Sequence, residues 1–437
     1  MIDKSREIAL KTLIEIEENK AYSNITLNKN IKENKNKLNE KDIAFISELV
    51  YGTTSFKLTL DEVIKKYSKI KISKISKWIL SILRLGIYQI IFLDKVPKSA
   101  AVNESVNLAK RYGHKASSNF VNAILRKVCK EDFEELENIQ DDIERISKTT
   151  STPEWLVKEI DKSWGISDTE DICKSFNIRP KINIRINTLK IKPNDFAKIL
   201  EENNIKYESL TEDMPEFLEV SNLKNIEDMD YFKKGYFTVQ DISAGFTAKL
   251  LNPQEGEMIL DACSAPGGKT TYIAEMMCNK GKIFAWDIHE HRINLVKENA
   301  KRLGIDIIET EVKDSSIFYE EYVEKFDKVL LDVPCLGIGV IRRKPDIKWQ
   351  RTEKDIKEIS DLQFQILDNC CRYLKSGGEL IYSTCSILKE ENENIINRFL
   401  EINGDFEIEK DEKNKIKFFE KYYAENRIFY DKTDAKE

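Results

Sequence analysis

Apolar side chains in the first 130 residues recur at the spacing of an amphipathic helix. Between Ile79 and Ile90 they return every three or four positions, and the same spacing appears between Phe120 and Val128. A repeat near 3.6 residues puts such side chains on one face of a helix, where they pack against neighbouring helices. Lysines and arginines stand between and beside these positions. The pattern predicts an all-α bundle with a basic exterior over residues 1–130.

The pattern changes after this bundle. Residues 131–150 carry eight carboxylates, which predict a solvated and partly helical connector. Strict alternation of apolar and polar side chains over residues 182–187 predicts a strand. A helical period over residues 195–203 and several shorter strand patterns follow. We therefore expect a small α+β domain over residues 151–236.

From residue 237 onward, strand patterns alternate with helical ones. Strands are predicted at residues 258–262, 282–287, 329–332 and 379–383, with helices between them. Strands that alternate with helices in this way form a parallel, doubly wound sheet covered by helices. The sequence therefore predicts an α/β, Rossmann-like domain over residues 237–437.

The charge of the chain is unevenly distributed. Net charge is −6, but residues 1–130 hold 25 Lys and Arg against 13 Asp and Glu, a balance of +12 that leaves −18 for the remainder. A basic block joined to an acidic body predicts a localised surface for a polyanion such as a nucleic acid. The alternative is that lysine simply replaces other polar residues in a lysine-rich composition.

Several classes of protein fit this composition poorly. Hydrophobic residues make up 41% and charged residues 33%, and no run of about 18 apolar residues predicts a membrane span. Nothing resembling a secretory h-region follows the first methionine, so we expect a cytoplasmic protein with reduced thiols. The eight cysteines form no Cys-x-x-Cys pair, and there are three histidines. We therefore expect neither a membrane partner nor a metal site.

A glycine-rich loop is the first candidate for chemistry. It comprises Cys263, Ser264, Ala265, Pro266, Gly267, Gly268 and Lys269, between a predicted strand and a predicted helix. Glycines there allow close approach of a ligand to the backbone, and the helix N-terminus offers free N–H groups. Asp287 ends the next strand, where a carboxylate binds ribose hydroxyls. We expect Asp314 to follow a third strand, before the one predicted at residues 329–332, where it could reach the adenine. Alone, each of these features is more often a turn or a cap; together they favour a cofactor that carries a nucleoside.

Two cysteines fifty positions apart are the second candidate. Asp332 and Cys335 follow one predicted strand, and Cys385 follows another. Ligands of open α/β sheets bind at the carboxyl ends of the strands, so both thiols are expected to face one crevice. Such a pair suggests covalent catalysis on an electrophilic base. Most cysteines are small buried hydrophobes, and this is our interpretation of Cys370 and Cys371.

These motifs resemble those of the RsmB/Sun family, which are S-adenosylmethionine-dependent 5-methylcytosine methyltransferases that act on 16S ribosomal RNA. Over residues 1–130 the chain also resembles the NusB antitermination fold. The motifs that carry these resemblances are Val50-Tyr51-Gly52, Ala101-Val102-Asn103-Glu104, Val239-Gln240-Asp241 with Ser243, the loop from Cys263 to Thr270, Arg342-Arg343-Lys344-Pro345-Asp346, Tyr382 to Ser386, and Glu390-Glu391-Asn392-Glu393.

The resemblance implies a function and a role for each candidate residue. It implies methylation of C5 of cytosine 967 in 16S rRNA, free or within an assembling small subunit, by a monomeric enzyme. Cys385 would add as a thiolate to C6 of the base, and Cys335 would assist release of the product. Asp332 would bind or protonate N3 of the base. The cofactor S-adenosylmethionine would be bound by residues 263–269, Asp287, Asp314 and Asp332.

Three positions depart from the family pattern. Leu336 stands where serine is usual, and Ser264 stands where alanine is usual. Residues 418–437 lack the usual Asp-Gly-Phe-Phe ending, which leaves a final antiparallel strand in doubt.

Three other functions stay open on the sequence alone. The motifs do not separate rRNA from another RNA such as tRNA as the substrate. A NusB-like ribosome-assembly or antitermination factor would bind RNA without catalysis. In DNA methylation, the Pro-Cys thiol, here Cys335, would be the nucleophile.

Overall fold

A computed structural model describes residues 3–130, 134–221, 223 and 226–408, so the predicted C-terminal departure over residues 418–437 lies outside the described residues. The chain divides into two compact units. The first contains residues 3–179 together with residues 337–353, and the second contains residues 180–336 and 354–408. Within the described part of the chain, no helix is long and apolar enough to cross a membrane.

The first unit is helical throughout. Its helices are α1 (Lys4–Asn19), α2 (Ser23–Asn34), α3 (Glu40–Ser55), α4 (Lys57–Tyr67), α5 (Lys77–Phe92), α6 (Lys98–Tyr112), α7 (Lys115–Val128), α8 (Asp142–Thr150), α9 (Glu154–Trp164) and α10 (Ile166–Ser175). Leu49, Ile82, Leu83 and Leu125 have no exposed surface and belong to one hydrophobic core. Burying one such side chain stabilises the fold by about 1.5–3 kcal/mol.

Helix α5 is buried on all sides, whereas its sequence predicts a single apolar face. Every residue from Ile79 to Ile90 is buried, because neighbouring helices cover all sides of this helix. Its polar residues have partners inside the bundle. Arg84 donates to both carboxylate oxygens of Asp61, at 2.7 and 2.8 Å, and Gln89 accepts from Arg6 at 2.7 Å.

Residues 337–353, which we call the anchor segment, pack within this helical unit although they follow Cys335 almost directly in sequence. The segment contains α16 (Ile347–Gln350), and Asp346 and Lys348 are each 1% exposed. The backbone N–H of Ser23 donates to Asp346 at 3.2 Å, and the Ser23 hydroxyl donates to the same oxygen. Lys348 Nζ donates to the carbonyl of Ser55 at 2.7 Å. The segment is therefore built into the bundle by buried polar contacts.

The second unit contains two sheets. The first is antiparallel, in the order β2-β3-β1-β4, with strands β1 (Ile182–Ile186), β2 (Lys206–Ser209), β3 (Phe217–Ser221) and β4 (Phe237–Val239). Helices α11 (Pro193–Glu202) and α12 (Asp230–Lys233) accompany it. Phe196, Phe217 and Phe237 are almost fully buried in this part of the unit.

The second sheet is parallel throughout, as the sequence predicts, in the order β7-β6-β5-β8-β9. Its strands are β5 (Met258–Asp261), β6 (Lys282–Asp287), β7 (Ile308–Val312), β8 (Phe326–Asp332) and β9 (Leu374–Ser383). The accompanying helices are α13 (Ile242–Leu250), α14 (Gly268–Met276), α15 (Glu290–Leu303), α17 (Lys354–Cys370) and α18 (Glu393–Ile402). The strand order reverses at β5, and such a switch point opens a crevice at the carboxyl edge. Each candidate residue ends a strand of this sheet or follows one at that edge.

Candidate active site

The glycine-rich loop joins β5 to α14 and borders a cavity of about 200 Å³. Six of its residues line the cavity, namely Cys263, Ser264, Ala265, Pro266, Gly268 and Lys269, as do Gln240, Asp261 and Asp332. Gly267 has a φ of +96°, and a Cβ there would lie 3.2 Å from the Cα of Val296, so the turn requires glycine. The first N–H groups of α14 have no partners within the helix, which makes this end of it suitable for an anion.

The hydroxyl of Ser264 and the thiol of Cys263 are two side chains of the loop that could take part in chemistry. The Ser264 hydroxyl donates to the carbonyl of Trp286 at 2.9 Å, so serine is accommodated where the family usually has alanine. Burial raises the pKa of the Cys263 thiol well above its ordinary value. A raised pKa disfavours the thiolate, so this thiol is a poor candidate for the nucleophile.

Asp261, the last residue of β5, is a buried carboxyl group beside this loop. It is 1% exposed, and the Thr270 hydroxyl donates to it at 2.6 Å. Burial raises the pKa of Asp261 to about 7. This carboxyl group can therefore exist in either protonation state near neutral pH, depending on what enters the cavity.

The two acids expected to contact a nucleoside have partners of their own. Asp287 is 4% exposed, accepts from the His289 backbone at 3.0 Å and pairs with Arg292 at 3.0 Å. Arg292 also donates to the carbonyl of Ala265 at 3.0 Å, so it links this acid to the glycine-rich loop. Asp314 accepts from the backbone and hydroxyl of Ser316, which is the pattern of a capped turn.

Asp332 lies at the end of β8, between the loop and the thiols. Lys269 pairs with one of its carboxylate oxygens at 2.6 Å, and the Ser383 hydroxyl donates to the other at 3.0 Å. Its side chain is 33% exposed, so it has both a fixed orientation and access to the crevice. A lysine–carboxylate pair of this kind presents one donor and one acceptor to a planar ligand.

The loops that follow β8 and β9 carry the two candidate nucleophiles, and they meet at the carboxyl edge of the parallel sheet. Cys335 and Cys385 have Cα atoms 6.3 Å apart, and the structure joins their sulfur atoms as a disulfide. Cys385 is exposed and Cys335 is partly buried. The other six cysteines are free. The two sulfur atoms are thus close enough to bond to each other, and attack on a base requires the pair in its reduced form. The expectation of reduced thiols stays a prediction.

A buried carboxylate, Glu391, connects these two loops. It has no exposed surface, and it accepts from the backbone N–H of Leu336 at 2.9 Å and from Gln363 at 3.0 Å. The Ser386 hydroxyl donates to its other oxygen. Leu336 directly follows Cys335, and Ser386 directly follows Cys385, so one side chain positions both thiols. Because Leu336 contributes its backbone here, the loss of the usual serine leaves this contact intact.

The structure thus brings some of the expected residues together and leaves others apart. Asp332 and the six loop residues share the cavity, whereas Gly267, Asp287 and Asp314 do not line it. The individual binding and catalytic roles stay predictions. Sequence reasoning assigned no role to Asp261, Ser383 or Glu391. Ser383 and Glu391 lie in motifs quoted above and Asp261 lies in the predicted strand at residues 258–262, but only the fold shows what these side chains contact.

Comparison with known proteins places these features in a family. Residues 3–130 match the NusB family, residues 152–227 match the ferredoxin-like domain of RsmF/B-like methyltransferases, and residues 248–436 match 16S rRNA methyltransferase RsmB/F.

Two relatives and one solved structure extend this match over most of the chain. The probable ribosomal RNA small subunit methyltransferase B of Bacillus subtilis is 39% identical over 405 residues, which cover 92% of this chain and 89% of the relative. The ribosomal RNA small subunit methyltransferase B of Klebsiella pneumoniae is 34% identical, covering 85% and 84%. The crystal structure of PH0851 has a TM-score of 0.77 at 29% identity and covers 92% of this chain and 90% of that one. The expected family and fold classes are confirmed, and the chain belongs to the RsmB/F family of 16S rRNA methyltransferases, with a NusB-like helical domain, a ferredoxin-like domain and a parallel-sheet methyltransferase domain.

Proposed function

We propose that this protein methylates C5 of a cytosine in 16S rRNA, at nucleotide 967, with S-adenosylmethionine as the methyl donor. The observation that carries the proposal is the meeting of Cys335, Cys385 and Asp332 at one edge of the sheet, beside a glycine-rich loop. We further propose that the enzyme acts as a cytoplasmic monomer. The predicted domain limits at residues 130, 150 and 236 stay predictions.

The residues of the cavity fit the proposed cofactor. Gln240 has a buried side-chain donor without a partner among the described residues, and Gly268 leaves space at the N-terminus of α14. Ile288 and Val312 are 52% and 53% exposed next to the ends of β6 and β7, where apolar surface suits an adenine ring. Asp261, Asp287, Asp314 and the loop would hold the remaining polar groups. When bound, S-adenosylmethionine supplies the methyl group and leaves as the neutral thioether.

In the proposed reaction Cys385 is the nucleophile. Its thiolate forms a bond to C6 of the cytosine, and the electrons of the C5–C6 double bond become available at C5, which takes the methyl group. Asp332, held by Lys269 and Ser383, would share a proton with N3 of the base, and this proton would offset the negative charge that develops on the ring after thiolate addition.

Release of the product reverses the first bond. A base removes the proton from C5, the C5–C6 double bond re-forms, and Cys385 departs as a thiolate. Cys335 lies next to this sulfur, so we assign it the assisting role. The target base must leave any helical stack to reach the thiol, at a cost of a few kcal/mol. The exposure of Cys385 suits a macromolecular substrate.

Methyl transfer to unmodified RNA tests the proposal directly. The reduced protein is incubated with labelled S-adenosylmethionine and either 16S rRNA, small-subunit particles or tRNA, and the modified base is then mapped. We expect 5-methylcytosine at a single cytosine of 16S rRNA. Label only in tRNA would contradict the rRNA assignment, and label on an atom other than C5 would contradict the reaction.

A further inference from the structure

A buried arginine of the antiparallel sheet binds the start of the helix that follows the glycine-rich loop. Arg185, on β1, has no exposed surface. Its guanidinium donates to the carbonyl of Gly268 at 2.8 Å and to the Thr271 hydroxyl at 3.1 Å. It also donates to both carboxylate oxygens of Glu275, at 2.8 and 3.1 Å, and to the side-chain carbonyl of Gln240. The planar guanidinium fixes the direction of each of these bonds.

The bond to Arg185 determines how the Gln240 carboxamide is oriented. Because Oε1 accepts from a cation, Nε2 must occupy the other position of the amide. Gln240 is 6% exposed, and its Nε2 has no hydrogen-bond partner among the residues that the structure describes. A buried donor without a partner destabilises the protein, so a ligand atom is its expected acceptor. Gln240 also lines the cavity beside the glycine-rich loop.

The position of this donor indicates what it binds. A Cβ on Gly268 would lie 3.6 Å from Nε2, so the amide lies against the first residue of α14. Free backbone N–H groups at a helix start and a side-chain amide both favour an anionic group. Lys269 is already paired with Asp332, at 2.6 Å. Gln240 therefore offers a donor that this lysine does not supply.

We propose that Gln240 binds the carboxylate of the amino-acid end of S-adenosylmethionine, and that Arg185 is the positioning residue that orients its amide. The inference rests on the cofactor of the proposed function and assigns one of its groups to a residue. The carboxylate is the only anionic group of that molecule. The groups proposed to meet the base, Asp332 and the two thiols, follow β8 and β9, whereas Gln240 contacts the helix that follows β5.

Calorimetric titration with two nucleosides separates this role from others. S-adenosylmethionine carries the carboxylate, and 5′-methylthioadenosine has the same adenosine and thioether without the amino acid. Loss of a hydrogen bond to a charged group should make Gln240→Leu bind S-adenosylmethionine about 10- to 100-fold more weakly. Its affinity for 5′-methylthioadenosine should be unchanged, which also shows that the site is folded. Gln254→Leu, at an exposed glutamine, is the matched control.

Each other outcome overturns the assignment. Equal weakening of both nucleosides would mean that Gln240 shapes the loop or contacts the adenosine. Unchanged affinity for both, with weaker RNA binding, would mean that it faces the base. If the unaltered protein bound neither nucleoside, the proposed function would fail together with this inference. If it bound both and Gln240→Leu did not discriminate between them, the inference alone would fail.

The role of Arg185 requires a variant that leaves no isolated charge. Burial raises the pKa of Glu275, and removal of Arg185 alone would leave this carboxyl group without its partner. The double variant Arg185→Met/Glu275→Met replaces the pair with apolar side chains. We expect the same selective loss for S-adenosylmethionine, and Gln240→Leu added to it should weaken binding by less than a further twofold, since coupled residues are not additive. Full additivity would contradict the positioning role.

Discussion

Cys385 and Cys335 occupy one end of the parallel sheet but differ in exposure, and the proposed roles follow this difference. The exposed Cys385 is accessible to a large substrate, whereas Cys335 is partly buried beside it. The backbone N–H of Cys385 points to the Cys335 sulfur at 3.3 Å. The Cys335 sulfur therefore lies directly beside the residue proposed as the nucleophile, as the assisting role requires.

Substitution of each thiol should therefore give opposite results. In reduced protein, Cys385→Ala should abolish methyl transfer and form no covalent RNA complex, because the first bond cannot form. Cys335→Ala should still attack and methylate but release product slowly, so a protein–RNA complex accumulates. Electrophoresis under denaturing conditions with labelled 16S rRNA measures both, and Cys278→Ala, at an exposed free cysteine, serves as the control. A complex from Cys385→Ala and none from Cys335→Ala would make Cys335 the nucleophile.

Replacement of Glu391 should change the positions of the two thiols. Glu391→Gln keeps the shape but replaces an acceptor oxygen with a donor, which faces the Leu336 N–H or the Ser386 hydroxyl. We expect a loss of about 1–3 kcal/mol in the free energy of unfolding. The methyl-transfer rate should fall while the affinity for S-adenosylmethionine is retained, because the partners described above, Leu336, Gln363 and Ser386, lie outside the glycine-rich loop.

Glu393→Gln, two positions away and exposed, is the control for this change. The rate of Cys385 alkylation in reduced protein reports the position of the thiol independently of activity. Equal alkylation and transfer rates in Glu391→Gln and the unaltered protein would show that the two loops hold their positions without it.

At the scale of elements, the anchor segment depends on an unusual buried lysine. Burial lowers the pKa of Lys348 to about 7. Below that pH the amine is charged in the folded and unfolded states alike. Between about pH 7 and about pH 10, the unfolded chain holds a proton that the folded chain lacks, so stability rises with pH. The expected slope is up to about 1.4 kcal/mol per pH unit.

Lys348→Met should remove this rise, although it also leaves the carbonyl of Ser55 without its donor. Lys344→Met, at an exposed lysine of the same segment, should retain it. Scanning calorimetry of the intact chain at several pH values follows the unfolding transition. If the stability of Lys348→Met rose with pH as much as that of the unaltered protein, the assignment of this rise to Lys348 would be contradicted.

Sequence patterns predicted the elements better than the contacts between them. The parallel strands were predictable because β5, β6 and β8 are short and mostly buried, and each ends in an aspartate at the carboxyl edge. The complete burial of α5 was not predictable, since its periodicity requires only one apolar stripe. Local sequence patterns also could not predict the partners of the anchor segment, because Ser23 and Asp346 are 323 positions apart. The same holds for Arg185, which belongs to an ordinary alternating strand.

At the scale of the whole molecule, the basic character of the helical unit should determine RNA affinity. Between Val63 and Leu93 the chain has no acidic residue, and Lys69, Lys71 and Lys74 are exposed there. Reversing these three charges to glutamate should weaken binding to 16S rRNA and lower the salt dependence of the binding constant. Each lost phosphate contact should reduce the slope of log K against log salt by about 1.

The control for charge alone is a triple reversal in the other unit, at the exposed Lys181, Lys198 and Lys280. It changes the net charge of the protein by the same amount. Filter binding across a series of salt concentrations compares the two variants. An equal change of slope in both would show that the total charge, and not this surface, determines the affinity.

The anchor segment has a consequence for how the chain is made. Ser23, Thr54 and Ser55 emerge from the ribosome long before Asp346, Lys348 and Trp349, which bind them in the finished protein. The amino-terminal helices therefore complete their packing only after most of the methyltransferase domain has been synthesised. A shortened protein that begins at residue 180 would carry the anchor segment without its bundle and expose Trp349 and the buried Lys348. Neither unit can therefore be separated by dividing the gene at a single position, because each contains two separate stretches of the chain.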